Sequence, residues 1–228
     1  MTERRILTVT DFHGKIFPDL LAMASTKKTF TREDFQQDEE IGKSKNLRKA
    51  VPIKLVAVGG FVAVSYFQNR ASTEDLDYMI DPALENLTKI EDKLGRAIKN
   101  VADKKGYDEG WVNDKLRLFA VGDSAQPLFR DSVAQNVVLW EGKNLIVYAV
   151  KWEWSLARKV KRIGSTRREA DVSDAVALLR KIVEENGRPI SRERAKSWDQ
   201  IVFTPIEDSA LDKVAEEYEK KYESSGFM

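Results

Sequence analysis

The sequence predicts an α/β fold with a helical C-terminal portion, and three observations lead to this prediction. An apolar run from Ile53 to Val58 ends in Gly59-Gly60, and a short apolar segment with helical spacing follows. A second strand is predicted from Leu76 to Ile80, and Pro82 ends it because proline cannot donate to a sheet ladder. From Trp152 onward the apolar residues recur with the period of helices.

The composition fits a globular protein and excludes several kinds of site. A chain of 228 residues is long enough for one full domain and a smaller appendage. Its 38 basic and 37 acidic residues nearly cancel, so the net charge favours no particular partner. The absence of cysteine excludes disulfides, thiolate catalysis and cysteine-ligated metals. The single histidine, His13, makes a histidine-ligated hydrolase a poor fit, and we expect this residue to be structural.

The sequence predicts no secretory signal and no membrane helix, and it divides into three regions. Residues 1–9 are charged and lack the apolar core of a secretory signal, and no apolar stretch approaches the roughly 20 residues of a membrane helix. We therefore expect a soluble, cytoplasmic protein that does not bind membranes. Three regions are predicted: an N-terminal extension packed on the core (1–40), an α/β core (41–151) and a helical C-terminal portion (152–228).

The other elements follow from apolar periodicity and from end signals. Residues 84–101 predict a long amphipathic helix closing near Gly106, and residues 137–139 and 145–150 predict a β-hairpin. The helices predicted further along cover residues 152–163, 171–185, 191–198 and 209 onward, with breaks at Gly164-Ser165-Thr166 and at Gly187. Residues 116–121 fit a helix or a strand equally well. The extension is predicted to hold a short strand at 6–9, a helix at 19–25 and a helix cap at Thr31.

Local charge is less even than total charge. Residues 41–54 contain five basic residues and no acid, and residues 158–168 contain six and no acid. Residues 207–223 contain seven acids against three lysines. Such runs usually mark a solvated surface, and a phosphate-binding groove is the less common alternative.

Gly59-Gly60 and the pair Asp75 and Asp77 together indicate phosphate chemistry. Glycines allow a sharp turn that leaves backbone N–H groups facing a phosphate, and the helix that begins there adds the positive end of its dipole. Residues two apart on a strand point to the same face, so Asp75 and Asp77 are expected to aim together, as a divalent cation requires. The alternatives are a plain tight turn and two solvated acids at a strand end.

These residues resemble the motifs of the nucleotidyltransferase-fold superfamily, which includes polymerase-β-like enzymes, and most closely its AbiEii-type toxin branch. The first block of the resemblance consists of Gly59, Gly60, Arg70, Thr73, Asp75 and Asp77. The second consists of Leu156-Ala157-Arg158-Lys159, Arg167-Arg168, and Asp171 and Asp174. The similarity covers roughly residues 50–182 by motif order. It implies a mixed β-sheet flanked by helices.

The resemblance also implies an activity: transfer of a nucleoside monophosphate from an NTP to a hydroxyl acceptor on RNA, protein or a small molecule. Asp75 and Asp77 would bind Mg²⁺ or Mn²⁺ and, with Lys159, form the catalytic set. Lys159 would contact the triphosphate, with Lys161 as a substitute. Nucleotide binding is assigned to Gly59, Gly60, Arg70, Thr73, Lys159, Arg168, Asp171 and Asp174.

Each assignment has a structural alternative. Arg70 and Thr73 fit ordinary loop residues, Lys159 fits a snorkelling surface lysine, and Asp171 and Asp174 fit a helix cap paired with Arg167 or Arg168. For the third carboxylate that active members supply, the candidates considered are Asp123, Asp131 and Glu141, and none is clearly placed.

A rival hypothesis follows from this uncertainty: an inactive member of the fold that binds nucleotide, nucleic acid or a protein partner. The C-terminal helix is also a candidate contact surface for a homo-oligomer, although covering the protein's own core is the simpler role for its apolar stripe. Trp152 and Trp154 are the tryptophans best placed for base stacking.

Overall fold

A five-stranded mixed β-sheet organises the chain. The computed structural model describes residues 28–32, 37–45, 47–120, 122–166 and 168–228. The strands are β1 (Ile53–Val58), β2 (Leu76–Ile80), β3 (Val112–Asn113), β4 (Val138–Glu141) and β5 (Leu145–Ala149), in the order β3-β2-β1-β5-β4. β1 runs antiparallel to β2 and parallel to β5, β3 is parallel to β2, and β4 is antiparallel to β5. The predicted α/β class and the hairpin are therefore confirmed.

Helices pack around this sheet and form most of the C-terminal part. They are α1 (Gln37–Lys43), α2 (Gly60–Val62), α3 (Leu87–Lys105), α4 (Ala125–Gln135), α5 (Trp152–Thr166), α6 (Glu169–Asn186), α7 (Arg192–Lys196), α8 (Asp199–Val202) and α9 (Asp208–Tyr222). A π-helical turn, Ala63–Phe67, continues α2 directly. Short 3₁₀ turns cover Leu47–Lys49, Lys115–Leu118 and Gly122–Ser124.

Several predicted helix ends are confirmed by their capping geometry. Gly106 and Gly187 both have φ of 69°, the left-handed conformation that ends a helix, and they follow α3 and α6. Ser191 caps α7, because its Oγ accepts a hydrogen bond from Arg194 N at 3.2 Å.

The predicted break at Gly164-Ser165-Thr166 is wrong, since α5 continues through Thr166. The hydroxyls of Ser165 and Thr166 donate to the Arg162 carbonyl one turn back, at 3.1 and 2.9 Å, so they do not compete with the helix. Gly164 packs against α9's first turn, where an added Cβ would lie 3.1 Å from Glu207 Oε2. This glycine serves close packing, which sequence spacing cannot distinguish from a break.

The sequence did not predict one helix, and it left the type of another element open. α4 was not predicted, because its buried residues Leu128, Phe129 and Ser132 form only a short stripe and Pro127 lies in its first turn. Residues 115–118 form a 3₁₀ turn, so the apolar run that fitted a helix or a strand equally well is neither an α-helix nor a strand there.

The main apolar core runs through the predicted core and the helical portion without interruption. It includes Leu55 and Val147 of the sheet, Leu156 of α5, Leu179 of α6 and Leu211 of α9. The apolar stripe of α9 therefore covers the protein's own interior. Among the described residues, no helix combines the length and the apolar character needed to cross a bilayer.

The tryptophans proposed for base stacking are both interior, Trp152 in this main core and Trp154 in a second apolar core that includes Leu116. Trp152 is 2% exposed and contacts the rings of Tyr66 and Phe67, and Trp154 is also buried. That hypothesis is wrong for both residues, because their positions on α5 face the core.

A short segment of the N-terminal region packs against the residues that precede β2. Phe30 is 1% exposed, and its backbone exchanges two hydrogen bonds with Thr73, at 2.8 and 3.1 Å. The predicted elements at 6–9 and 19–25, together with His13 and Arg167, lie outside the described residues.

Candidate functional site

The candidate site lies at one edge of the sheet, where β1 ends and β2 begins. These strands are antiparallel, and the pairing of Val58 with Asp77 brings the Gly59-Gly60 turn beside the aspartates. A cavity of about 400 Å³ opens there, within the size range of small-molecule sites. Its lining residues are Thr29, Gly59, Gly60, Arg70, Ser72, Thr73, Glu74, Asp75, Asp77, Lys159, Arg162, Arg168 and Asp171. The cavity thus gathers the predicted site residues from distant parts of the chain, apart from Asp174, which lies just behind its wall.

The two glycines of the turn are required for different physical reasons. Gly59 has φ of 79° and ψ of −134°, a conformation open essentially to glycine alone. Gly60 instead allows a close approach, because an added Cβ would lie 2.2 Å from Thr73 Oγ1. The helix that follows is a single α-helical turn continued by a π-helical one, so its dipole is shorter than the sequence suggested.

Thr73 connects this turn to the first aspartate. It is buried, and its hydroxyl donates to the Asp75 carbonyl oxygen at 3.0 Å. The same Oγ lies against Gly60, so the glycine turn, Thr73 and the backbone of Asp75 form one packed unit. The position of Asp75 therefore depends on both the Gly60 turn and the Phe30 segment paired with Thr73.

Asp77 carries a carboxylate that the protein leaves poorly compensated. Its Oδ1 is buried and has no hydrogen-bond partner among the described residues. Burial raises the pKa of Asp77, and the charge of Asp75 raises it further, while Asn113, Lys115 and Arg162 oppose the rise. Leu76 and Tyr78 are buried on the opposite face of the strand, as the alternation predicts.

This arrangement fits a divalent cation in its donor chemistry. Asp77 lies on β2 and Asp75 lies directly before it, and both line the cavity. The two carboxylates repel each other, and among the described residues no donor reaches the buried Oδ1 of Asp77. Hard cations take oxygen ligands of this kind. The protein supplies two such side chains rather than a complete cage, since no cluster of three or more ligating residues forms within the described part of the chain.

The wall facing the aspartates is an alternating network of charges. Lys159 Nζ donates to Asp171 Oδ1 at 2.8 Å and to Asp174 Oδ2 at 2.6 Å, and all three side chains are buried. Arg70 binds Asp174 through two nitrogens, Nε to Oδ1 at 3.1 Å and Nη2 to Oδ2 at 2.5 Å. Arg162 Nε lies 3.2 Å from Asp171 Oδ2. Three cations therefore share two carboxylates, and the network joins the loop before β2 to α5 and α6.

Most of the chain matches one known protein family. Residues 44–225 match the family described as "Domain of unknown function (DUF7582)". The chain belongs to this family. No curated protein and no solved structure matches it significantly.

In this DUF7582 member, the structural alternatives proposed for the second motif block need correction. Lys159 does not snorkel to solvent, because it is buried between two aspartates. Asp171 and Asp174 pair with Lys159, Arg70 and Arg162, whereas the expected partner Arg168 is exposed at the rim. The sequence separation of 104 residues between Arg70 and Asp174 explains why this pairing was not foreseen.

The three candidates for a third carboxylate are wrong, because none lines the cavity of this DUF7582 domain. Asp131 is exposed on α4 beside Arg130, Glu141 is exposed at the end of β4, and Asp123 lies in a 3₁₀ turn. The strand next to β2 instead presents Asn113, in register with Asp77. An amide therefore stands where the neighbouring strand approaches the carboxylate pair.

Arg162 is the main site residue of this DUF7582 chain that the sequence analysis missed. It lies three residues after Lys159 on α5, and that spacing puts both on one helix face. It lines the cavity with 46% of its side chain exposed, whereas Lys159 is 8% exposed. The helical spacing was the available signal. Glu74 and Ser72 also line the cavity, and their sequence positions carried no such signal.

Proposed function

We propose that this protein is a divalent-cation-dependent nucleotidyltransferase of the polymerase-β-like superfamily, acting on an NTP and a hydroxyl acceptor. The observation that carries the proposal is the unpartnered, buried carboxylate oxygen of Asp77 beside Asp75, in a cavity whose other wall is cationic. One half of the cavity suits a metal ion and the other suits phosphate oxygens.

The charge distribution supports a triphosphate rather than a neutral ligand. Arg162 and Arg168 are exposed and line the cavity. Lys159 is already bound by two carboxylates, so less of its charge is available to a ligand. We therefore assign phosphate contact chiefly to Arg162 and Arg168. Lys159 becomes a positioning residue that holds α5 against α6.

In the proposed reaction, the acceptor oxygen bonds to the α-phosphorus and the bond to the bridging oxygen of pyrophosphate breaks. The acceptor proton leaves to solvent, and pyrophosphate departs with the negative charge. A bound Mg²⁺ or Mn²⁺ would stabilise charge on the transferred group and on the leaving group. Asp75 and Asp77 would orient the phosphates against the Gly59-Gly60 turn, and Arg162 would offset charge as it develops.

The test is transfer of label from α-labelled NTPs to candidate acceptors, with pyrophosphate measured in parallel. We expect Asp75→Ala and Asp77→Ala each to abolish transfer, because each removes a ligand of the shared cation. The control is Asp131→Ala, which changes an exposed aspartate on α4 and should leave transfer unchanged. Near-normal activity in either Asp75 or Asp77 variant would contradict the assignment of the metal site.

A second candidate function is nucleotide binding without transfer, and Asn113 favours it. Asn113 Nδ2 donates to the Gly110 carbonyl at 3.0 Å, and its Oδ1 accepts from Lys115 N at 3.1 Å, so its amide is fixed by its own loop. In this position it opposes the raised pKa of Asp77 without supplying a third negative charge. Cation-dependent NTP binding with no pyrophosphate release would favour this candidate over the transferase.

Asn113→Asp tests whether a third carboxylate strengthens cation binding at this site. The new carboxylate lies next to Asp77 in the sheet register and adds a cation ligand. If the natural site is a binding module, we expect the variant to bind Mn²⁺ more tightly than the wild type. If the wild type already transfers nucleotide, the Asn113 amide suffices in place of a third carboxylate. The binding-module candidate is then wrong.

A further inference from the structure

A cationic and aromatic surface lies beside the aspartate edge of the cavity. It consists of Lys115, Leu118 and Phe119 from the turn after β3, and Arg158 and Arg162 from α5. We call these five residues the rim platform. Leu118 is 72% exposed and Phe119 is 41% exposed, so two adjacent apolar side chains face solvent here. Nothing in the proposed phosphate chemistry uses these two apolar side chains.

The turn that presents Leu118 and Phe119 is held firmly. Leu116 and Ala120, on either side of them, are buried in the second apolar core with Trp154 and Val150. Phe119 N donates to the Leu116 carbonyl at 3.1 Å and closes the turn. The backbone that carries the Phe119 ring is therefore fixed by buried neighbours. The ring loses little conformational entropy when a flat ligand covers it.

Arg158 stacks on this ring. Its guanidinium carbon lies 4.0 Å from the centre of the Phe119 ring and 5.7 Å from that of Trp154. Within the described residues, no carboxylate pairs with Arg158. Burial lowers its pKa, and nearby Arg162 lowers it further, as expected for a cation that lacks an anion.

The platform is continuous with the candidate site. Arg158 and Arg162 are one helical turn apart on α5 and face the same side. Arg162 lines the cavity, and both Arg162 and Lys115 act electrostatically on Asp77. A ligand reaching from Asp77 would thus meet a cation at Arg162, a second at Arg158, and then a flat aromatic surface at Phe119.

We infer that the rim platform binds a nucleobase by stacking on Phe119, with the adjoining phosphate held by Arg158. Alternating cations and exposed aromatic rings are the usual means of holding single-stranded nucleotides. The inference rests on the proposed function for the identity of the ligand as a nucleotide. The base can belong to the NTP itself or to a single-stranded nucleic-acid acceptor, and both present the same chemistry.

Binding measurements test the platform without requiring turnover. The probe is a short fluorescein-labelled oligouridine, titrated by anisotropy against Asp75→Asn protein so that transfer cannot occur. We expect Phe119→Ala to weaken binding about tenfold and Phe119→Tyr to restore it, since a stacked base contributes that order of affinity. Phe203→Ala is the matched control, because Phe203 is an exposed aromatic that is not part of the rim platform.

An abasic oligonucleotide with the same phosphates separates stacking from charge. Phe119→Ala should leave its affinity unchanged, whereas Arg158→Gln should weaken it and reduce the salt dependence of binding by about 0.7 in logarithmic slope. Melting temperatures serve as the folding control for every variant. Equal losses of the abasic and the natural oligonucleotide in Phe119→Ala would overturn stacking as the mechanism.

The source of the base is decided by repeating the series with free NTPs by calorimetry. A Phe119-dependent loss confined to NTPs assigns the platform to the NTP base, and a loss confined to oligouridine assigns it to the acceptor. If Phe119→Ala changes neither affinity, the inference is wrong even when transfer activity is present. If it changes one of them while no pyrophosphate forms, the platform stands and the transferase proposal fails.

Discussion

At the scale of a single residue, the buried charge of Asp77 lowers the stability of the folded protein, although the proposed reaction requires that charge. Among the described residues no donor reaches its buried Oδ1, and burial together with the charge of Asp75 raises its pKa above the ordinary value of an aspartate. In the pH window between that ordinary value and the raised one, the folded state binds more protons than the unfolded state. Stability contributed by this group therefore falls as pH rises through the window.

We predict that Asp77→Asn raises the melting temperature at neutral pH when divalent cations are chelated, because the amide removes a buried charge and its repulsion from Asp75. The gain should disappear as the pH falls below the ordinary pKa of an aspartate, because the wild-type carboxyl is then protonated in the folded and the unfolded state. Thermal melts with EDTA between pH 3 and pH 8 measure this. A neutral-pH melting temperature of Asp77→Asn below that of the wild type would contradict the account.

Gly60 is a second residue whose effect on stability can be tested by itself. We predict that Gly60→Ala costs about 1–3 kcal/mol of unfolding free energy, since the new methyl overlaps Thr73 Oγ1 and forces the turn apart. The matched control is Gly95→Ala, on an exposed turn of α3 with no atom near the added methyl. That variant should gain roughly 0.5–1 kcal/mol. Denaturant titrations measure both, and equal effects would disprove the close-approach argument.

At the scale of elements, the contact between α5 and α6 depends on buried charges. Lys159 on α5 holds two buried aspartates of α6, and Arg70 holds one of them from the loop before β2. Such a network contributes little net stability compared with apolar packing, but breaking it leaves charges buried without partners. It fixes the cationic wall of the cavity relative to the Asp75 and Asp77 strand.

Lys159→Met should therefore be strongly destabilising, by about 3–5 kcal/mol, because Asp171 and Asp174 then lose a shared cation. Lys161→Met is the comparison, since within the described residues Lys161 donates to the neutral Val202 carbonyl, at 3.0 Å, and to no carboxylate. Its cost should be about 1 kcal/mol. Urea unfolding followed by circular dichroism distinguishes the two, and similar losses in both variants would contradict the network's role.

At the same scale, the sequence predicted those elements whose local signals are complete. The end of β2 followed from Pro82, and the α3 and α6 ends followed from Gly106 and Gly187. The end of α5 was mispredicted because Gly164 is used for packing against Glu207, a contact 43 positions away. Local patterns carry no information about such a partner.

At the scale of the whole molecule, the order of motifs predicted which residues meet, but not how they are paired. The sheet register brings Asp77 beside Gly59-Gly60, and α5 and α6 bring Lys159, Arg168 and Asp171 to the same cavity. The pairing of Arg70 with Asp174, the placement of Arg162 and the presence of Asn113 beside Asp77 depend on tertiary packing. These contacts determine which cation faces a ligand and which carboxylates can share one.

The central claim is that the carboxylate pair binds a divalent cation together with the phosphates of a nucleotide. Calorimetric titration of the folded protein with an NTP, with and without Mg²⁺, tests it most directly, using Asp77→Asn as the comparison. The account predicts that NTP binding requires Mg²⁺ in the wild type and is lost in Asp77→Asn. Equal affinity with and without Mg²⁺, undiminished binding by Asp77→Asn, or no binding by the wild type would contradict it.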